Sequence, residues 1–449
     1  MKLEENAKIS VKEKLAYALG YGANSMYGTV FGAFLLSYYT DTVLINAAAV
    51  SSMFIVVKIF DMWSDFVIGA LIDKTHTRFG KVRPWILAAA PLMAIAFILS
   101  FCANSSWTDS GKIIYAYLTY IFANVIAYTI YGISQASLLS KVTMNSKERM
   151  SLSTWGNIVN NIGSIVVAAV FLPIVIKIGW TNSAILFGII CAVMIFIEFL
   201  FVKERVDAEV DSIPTESIPV RQAVKAVLKN RYFVLFLILC AIVFLIQMNY
   251  GQAMVFYCNN VLNDSAFFSV LNLVKFPTLI VLFIVPFLAK KYSKHKLMII
   301  FTILTFLSFI LLSVAGTNRT LLMLGVLFNS IMMNPMYILL PVMVADFVDI
   351  NEYESGTRNT GIISSSNSIG TKAGVALGGA LTGWILSIFK YDGAAKVQSA
   401  SSIFGIKFAF SWSGAILCVI VLIILLFLNN VEKRLPEIQE ELRKRHEMK

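Results

Sequence analysis

The stretch AAAVSSMFIVVKIFDMWSDFVIGALI, residues 47–72, decides how the chain is read. It is apolar and long enough to cross a bilayer as one helix, yet its middle holds Lys58, Asp61 and Asp65. At helical spacing the two aspartates, four residues apart, share a face, and Lys58, three residues before Asp61, joins them. One carboxylate at the centre of a membrane helix costs about 3 kcal/mol on the gentlest scales. Two together need a compensating cation, either a neighbouring lysine or a bound Na⁺ or H⁺.

The rest of the chain resembles this run. Its 449 residues are 58% hydrophobic and 14% charged, with mean hydropathy +0.76. A soluble domain of this length is less apolar, so the class is a polytopic all-α membrane protein. The net charge of +11 sits in short connections between apolar runs, which is topology signal and not a nucleic-acid face. Five cysteines lie scattered in apolar runs without paired spacing and read as free thiols. His76, His295 and His446 all fall in expected loops or the tail, leaving no histidine for an intramembrane proton relay or metal site. The opening MKLEENAKISVKEK has no apolar core and does not read as a signal peptide.

About twelve apolar runs are long enough to span: 15–40, 47–72, 84–103, 112–139, 152–178 and 183–202, then 232–260, 266–289, 297–315, 319–345, 360–388 and 405–429. This divides the chain into a six-helix half (1–202), a central loop (203–231), a second six-helix half (232–430) and a tail (431–449). Connections after runs two, four, six and eight are rich in Lys and Arg, whereas those after runs one and seven carry none. Positive-inside then places both termini and the central loop in the cytoplasm, with the protein in the plasma (inner) membrane. Six plus six runs with basic loops at corresponding positions predict a duplicated transporter, its substrate site between the halves near the midplane.

Intramembrane charge is sparse: Lys58, Asp61 and Asp65 in run two, Lys275 in run eight and Lys372 in run eleven. Glu198, near the end of run six, reads as interfacial. Two acids one turn apart repel when both are ionised. Asp61, Asp65 and Ser64, with Thr129 from run four, offer the oxygen ligands a hard cation prefers; proton uptake by one aspartate is the other solution, and a buried pair with Lys58 or Lys372 is the structural one. Lys372 lies on the order of 18 Å into its run, too deep to snorkel, and Lys275 precedes Pro277. Asn24 and Ser25 in run one and Asn157 and Asn160 in run five suit a cavity for a polyhydroxylated ligand; Trp63, Trp155 and Tyr337 are candidates to stack on it. Gly370, Gly374 and Gly378 form a stripe for close helix packing. No nucleophile elbow, phosphate loop or metal spacing appears, so no enzyme or ATP-driven pump is expected.

With the residues in hand, the chain resembles the glycoside–pentoside–hexuronide:cation symporters of the major facilitator superfamily. The likeness spans nearly all of it, carried by Lys14-Leu-Ala-Tyr-Ala-Leu-Gly20, Tyr38-Tyr-Thr-Asp41, Phe60-Asp61-x-x-x-Asp65, Thr77-Arg-Phe-Gly-Lys-Val-Arg-Pro-Trp85, Tyr115-Ala-Tyr-Leu-Thr-Tyr120 and Ala345-Asp346-Phe-Val-Asp349-x-x-Glu352-Tyr353. The resemblance implies a major facilitator fold, a cation site (Na⁺ or H⁺) at Asp61, Ser64, Asp65 and Thr129, coupling through Lys372, and a sugar-linked amide at Asn367. It departs at the sugar site, where family carboxylates fall on Ser25 and Gly132 and an arginine falls on Asn157. The expectation is therefore a monomeric symporter for a glycoside, pentoside or hexuronide, with no other cofactor, no nucleic-acid partner, and Lys58, Lys275 and Tyr337 as further coupling or substrate candidates. A carrier of a lysolipid-like amphiphile and a transporter-like membrane sensor are the alternatives.

Overall fold

A computed structural model describes residues 8–206, 231–355 and 360–447. Apart from a bridge between Thr77 and Gly80, the described residues form helices and connections. In chain order the helices are α1 (Val11–Ser37), α2 (Ala47–Lys74), α3 (Arg83–Ser100), α4 (Asp109–Val142), α5 (Ser146–Ile178), α6 (Trp180–Phe201), α7 (Arg231–Asn260), α8 (Phe267–Leu273), α9 (Val281–Lys291), α10 (Lys294–Ala315), α11 (Arg319–Ser355), α12 (Thr360–Ile388), α13 (Ala400–Lys407) and α14 (Ser413–Glu447). Nine helices among the described residues are long and apolar enough to cross a membrane, ten if the broken pair around α8 and α9 is one span. Helices α1 and α2 are as long, but lie outside those nine and carry the polar clusters treated below.

Helix starts follow local chemistry. Ser10, Asn46, Thr108, Asn145 and Ser293 each accept a hydrogen bond from a first-turn N–H of the helix they precede. The start of α3 is capped from a distance: the Glu204 carboxylate accepts from the N–H groups of Lys81, Val82 and Arg83 at 2.9, 2.8 and 2.7 Å. A negative charge there also suits the helix dipole.

Two units make up the chain. The first comprises Met1–Ile213 with Cys258–Leu273 and Leu386–Ser402; the second comprises Pro214–Tyr257, Val274–Ile385 and Ile403–Lys449. In the first, α1 packs on α5 and α6, α3 on α6, and α2 on α4. The Tyr391 hydroxyl donates to Asp41 at 2.9 Å, and Asp41 also accepts from Ser37 and Thr40. Gly393 sits so near the Thr40 carbonyl that a Cβ would lie 2.0 Å from it. In the second unit, α10 packs on α11 and α14. The glycine stripe seats α12 on α7: a Cβ at Gly374 would lie 2.3 Å from the Ala241 carbonyl, and one at Gly378 2.5 Å from that of Leu245.

Four features differ from the sequence expectation. Run eight is not continuous: after α8 a 3-10 turn, Phe276–Ile280, intervenes before α9, because Pro277 has no N–H to continue the ladder. The Lys275 carbonyl accepts from the Thr278 N–H and hydroxyl at 2.9 and 2.7 Å. Run four contains a π-helical turn, Phe122–Tyr128. His295 is not in a loop but buried in the first turn of α10. The tail, set apart from run twelve in the sequence reading, continues α14 as one helix and docks, with Leu435, Ile438 and Leu442 buried and Gln439 donating to Asp349 at 3.0 Å.

Candidate functional site

The polar cluster of α2 faces α4. Asp61 is only 1% exposed in an otherwise apolar helix, so every oxygen needs a partner. Lys58, one turn earlier, places its ammonium 3.1 Å from Oδ2. From α4 the Thr129 hydroxyl donates to Oδ1 at 3.0 Å. The Ser64 hydroxyl lies 2.9 Å from the Asp61 carbonyl and 3.2 Å from the Thr129 hydroxyl. Asn124 accepts from Lys58 through Oδ1 at 3.3 Å and anchors its amide on the Tyr120 carbonyl.

The π-helical turn makes this geometry. Its wider ring brings Asn124 and Thr129, five residues apart, onto the side facing α2, and the Thr129 hydroxyl is 2.8 Å from the Asn124 carbonyl. Such bulges recur at functional sites. Sequence reading misses Asn124, although a lone amide inside an apolar run, five residues before a threonine, is the available signal.

Asp61, Ser64, Thr129 and Lys58 are therefore gathered, while Asp65 lies one turn along α2 and is partly exposed. Asp61, Asp65 and Lys58 together carry a formal charge of −1. Their neighbours present hydroxyl, amide and carboxylate oxygens, a hard set suited to a small monovalent cation.

The sugar-site candidates separate by environment. Gly132 on α4 faces open space, with nothing within 4 Å of where a Cβ would be. Asn157 is exposed on α5 and Asn160 partly so. Ser25 is buried; its hydroxyl donates to the Gly22 carbonyl at 2.8 Å and lies where a Cβ on Gly163 would clash, so it seals α1 against α5. Asn24, on the preceding position of α1, keeps a buried Oδ1 with no hydrogen-bond partner among the described residues. Trp63 is 71% exposed on the outside of α2.

In the second unit, Tyr337 tilts its ring against Phe244 at 5.4 Å and leaves its buried hydroxyl without a hydrogen bond. The Lys275 ammonium stands 6.0 Å over the Tyr250 ring, a cation–π contact. Lys372 lies partly buried on α12. Asn367 falls on α12, but its side chain lies outside the described residues.

Glu198 adds what the sequence reading left out. Three residues before the end of α6, it is fully buried within the protein. Its Oε2 accepts from the Tyr131 hydroxyl at 2.8 Å, and Tyr131 in turn accepts from Gln135 at 3.0 Å.

Residues 16–431 match the family model described as MFS/sugar transport protein. The isoprimeverose transporter of Lactiplantibacillus pentosus is 29% identical, over 97% of this chain and 91% of that protein. A glucuronide carrier protein homolog of Escherichia coli (strain K12) is 28% identical, over 97% and 96%. A solved structure of the nucleoside transporter NupG superposes with a TM-score of 0.64 at 14% identity, covering 92% of this chain and 98% of that one, and so shares the fold.

Proposed function

The chain belongs to the MFS/sugar transport protein family, and from that premise we propose that it couples a monovalent cation, Na⁺ or H⁺, to uptake of a glycoside, pentoside or hexuronide by alternating access. It is a transporter, not an enzyme. The observation that carries the reading is the buried Asp61 held between Lys58 and Thr129. Lys58 acts as a resident cation on Asp61. Asp65, one turn along α2, adds a second carboxylate for the arriving cation. Asp61, Thr129, Ser64 and Asp65 bind that cation, and Lys58 shifts away from Asp61 as it enters. Lys372, in the second unit, carries the coupling to substrate, on the strength of the family resemblance.

Gly132, Asn157 and Asn160 line the first unit's share of the sugar path, which the open space at Gly132 supports. Relatives named as an isoprimeverose transporter and a glucuronide carrier protein homolog support a sugar-derived substrate of this kind. The protein acts as a monomer in the plasma (inner) membrane with both termini cytoplasmic, in keeping with its basic loops.

The test is uptake into membrane vesicles across xylosides, glucosides and glucuronides, with a Na⁺ gradient, with a proton gradient and with neither. One sugar class is expected to accumulate only under a gradient. Gradient-independent equilibration of every sugar, or unchanged accumulation after Asp65→Cys, overturns the proposal.

A further inference from the structure

We propose that Glu198 is a second ion site in the first unit, one that binds a proton and is separate from the Asp61 cluster. The inference rests on the transporter reading only for its consequence in uptake; the site itself stands on geometry. Glu198 is 0% exposed. Oε2 accepts from the Tyr131 hydroxyl at 2.8 Å, Gln135 stands close enough to add a second neutral donor, and Oε1 is buried with no hydrogen-bond partner among the described residues.

The carboxyl lies against the backbone of α1 at Gly20, where a Cβ would come within 2.1 Å of Oε2 and 2.5 Å of Oε1. A side chain at position 20 would have to push the carboxyl out of this place. A carboxyl kept in such a slot by a glycine on one helix and a phenol on another is a built site, not a stray side chain.

No cation faces it among the described residues. Helix α1 presents Tyr17 and Gly20, and its Glu13 is held by Arg205 at 2.8 Å. Helix α4 presents Tyr131 and Gln135. On α3 the Arg83 guanidinium donates to the Phe199 carbonyl at 2.7 Å. On α5, Glu148 pairs with Lys14, and Arg149 donates to the Thr143 and Ser140 carbonyls. Cys191 lies two turns back on α6 itself, buried.

An ionised carboxylate with only neutral donors and no counter-charge is among the costliest groups to bury. A proton on either oxygen removes that charge without any rearrangement. Protonation is therefore the one ion-binding event this site accommodates: a metal cation would find one carboxylate, one phenol and one amide, too few ligands to replace its water.

The experiment is an infrared pH titration of the full-length protein in liposomes, without substrate, comparing wild type, Glu198→Gln, Tyr131→Phe and Asp61→Asn. A titrating carboxylic-acid carbonyl band is expected in wild type, absent in Glu198→Gln, shifted in Tyr131→Phe because its hydrogen-bond donor is gone, and retained in Asp61→Asn. A band that is unchanged in both Glu198→Gln and Tyr131→Phe overturns the assignment, as does its loss in Asp61→Asn alone. If Glu198→Gln fails to fold, the Tyr131→Phe shift decides. Because no sugar is involved, a wrong substrate class leaves this result standing. In vesicles, Glu198→Gln is expected to flatten the pH dependence of uptake while keeping its response to cation at Asp61.

Discussion

Replacing Asp61 by Asn tests whether Lys58 and Asp61 form one electrostatic unit. The carboxylate is nearly inaccessible and the lysine side chain is 11% exposed, with 3.1 Å between them. Asp61→Asn leaves the ammonium with Asn124 Oδ1 at 3.3 Å as its remaining acceptor within the cluster. Stranding a buried charge this way costs about 3–5 kcal/mol, against ~1 kcal/mol or less for an exposed pair. Lys58→Met strands Asp61 instead, but added Na⁺ or lower pH offsets that loss, since an external cation takes the vacated place. The double variant Lys58→Met/Asp61→Asn removes both charges and recovers at least about 2 kcal/mol of the summed losses, as expected for residues in contact. Denaturation followed by labelling of the buried thiols Cys191, Cys240, Cys258 and Cys418 gives the four corners of the cycle. Additivity within about 0.5 kcal/mol, or Asp61→Asn as stable as wild type with full cation-stimulated uptake, refutes the reasoning.

Other expectations follow from single contacts. Thr129→Val removes the hydroxyl between Asp61 and Ser64 and raises the cation concentration for half-maximal uptake by roughly 10-fold, within the range known for groups that orient ion ligands; Thr129→Ser preserves it. Gly374→Ala drives a Cβ into the Ala241 carbonyl and lowers stability by about 1–3 kcal/mol, whereas Gly69→Ala, with nothing within 4 Å, leaves thermal unfolding unchanged or raises its midpoint. Gly132→Leu enters open space, so expression and melting hold while sugar uptake falls; undiminished uptake removes Gly132 from the sugar path.

What the sequence disclosed, and what it withheld, follows from the range of each interaction. Apolar runs near 20 residues and caps such as Asn145, which accepts from Lys147 and Glu148, are local, and the helices appear where these place them. The Lys58–Asp61 pair was legible for the same reason: i,i+3 spacing on one helix suffices. Asn124 was not, because its approach to Lys58 depends on a π-helical turn that no local pattern announced. The burial of Glu198 was not legible because distance to a run end says nothing of lateral packing. Lateral burial is set by which faces α1 and α4 present, and Gly20 and Tyr131 come from far along the chain. In the tail, Leu435, Ile438 and Leu442, spaced three and four apart, make an apolar stripe, but the surface that buries it comes from elsewhere in the chain.

The resident lysine changes how coupling is to be understood. A bare pair of aspartates would bind a cation tightly in every state of the transporter and would couple poorly, since a ligand with equal affinity for two states shifts neither. If the cation enters at Asp61, as proposed above, it displaces the Lys58 ammonium 3.1 Å away. Affinity then becomes sensitive to where the lysine can go. If one conformation offers the displaced ammonium a better acceptor, cation affinity differs between conformations, and sugar affinity differs with it by the same factor. A preference of about 1–3 kcal/mol is enough for roughly 5–150-fold coupling. Lys58→Met should therefore tighten Na⁺ binding while weakening its effect on sugar affinity; if both rise together, the lysine is only a competitor and the conformational difference lies elsewhere.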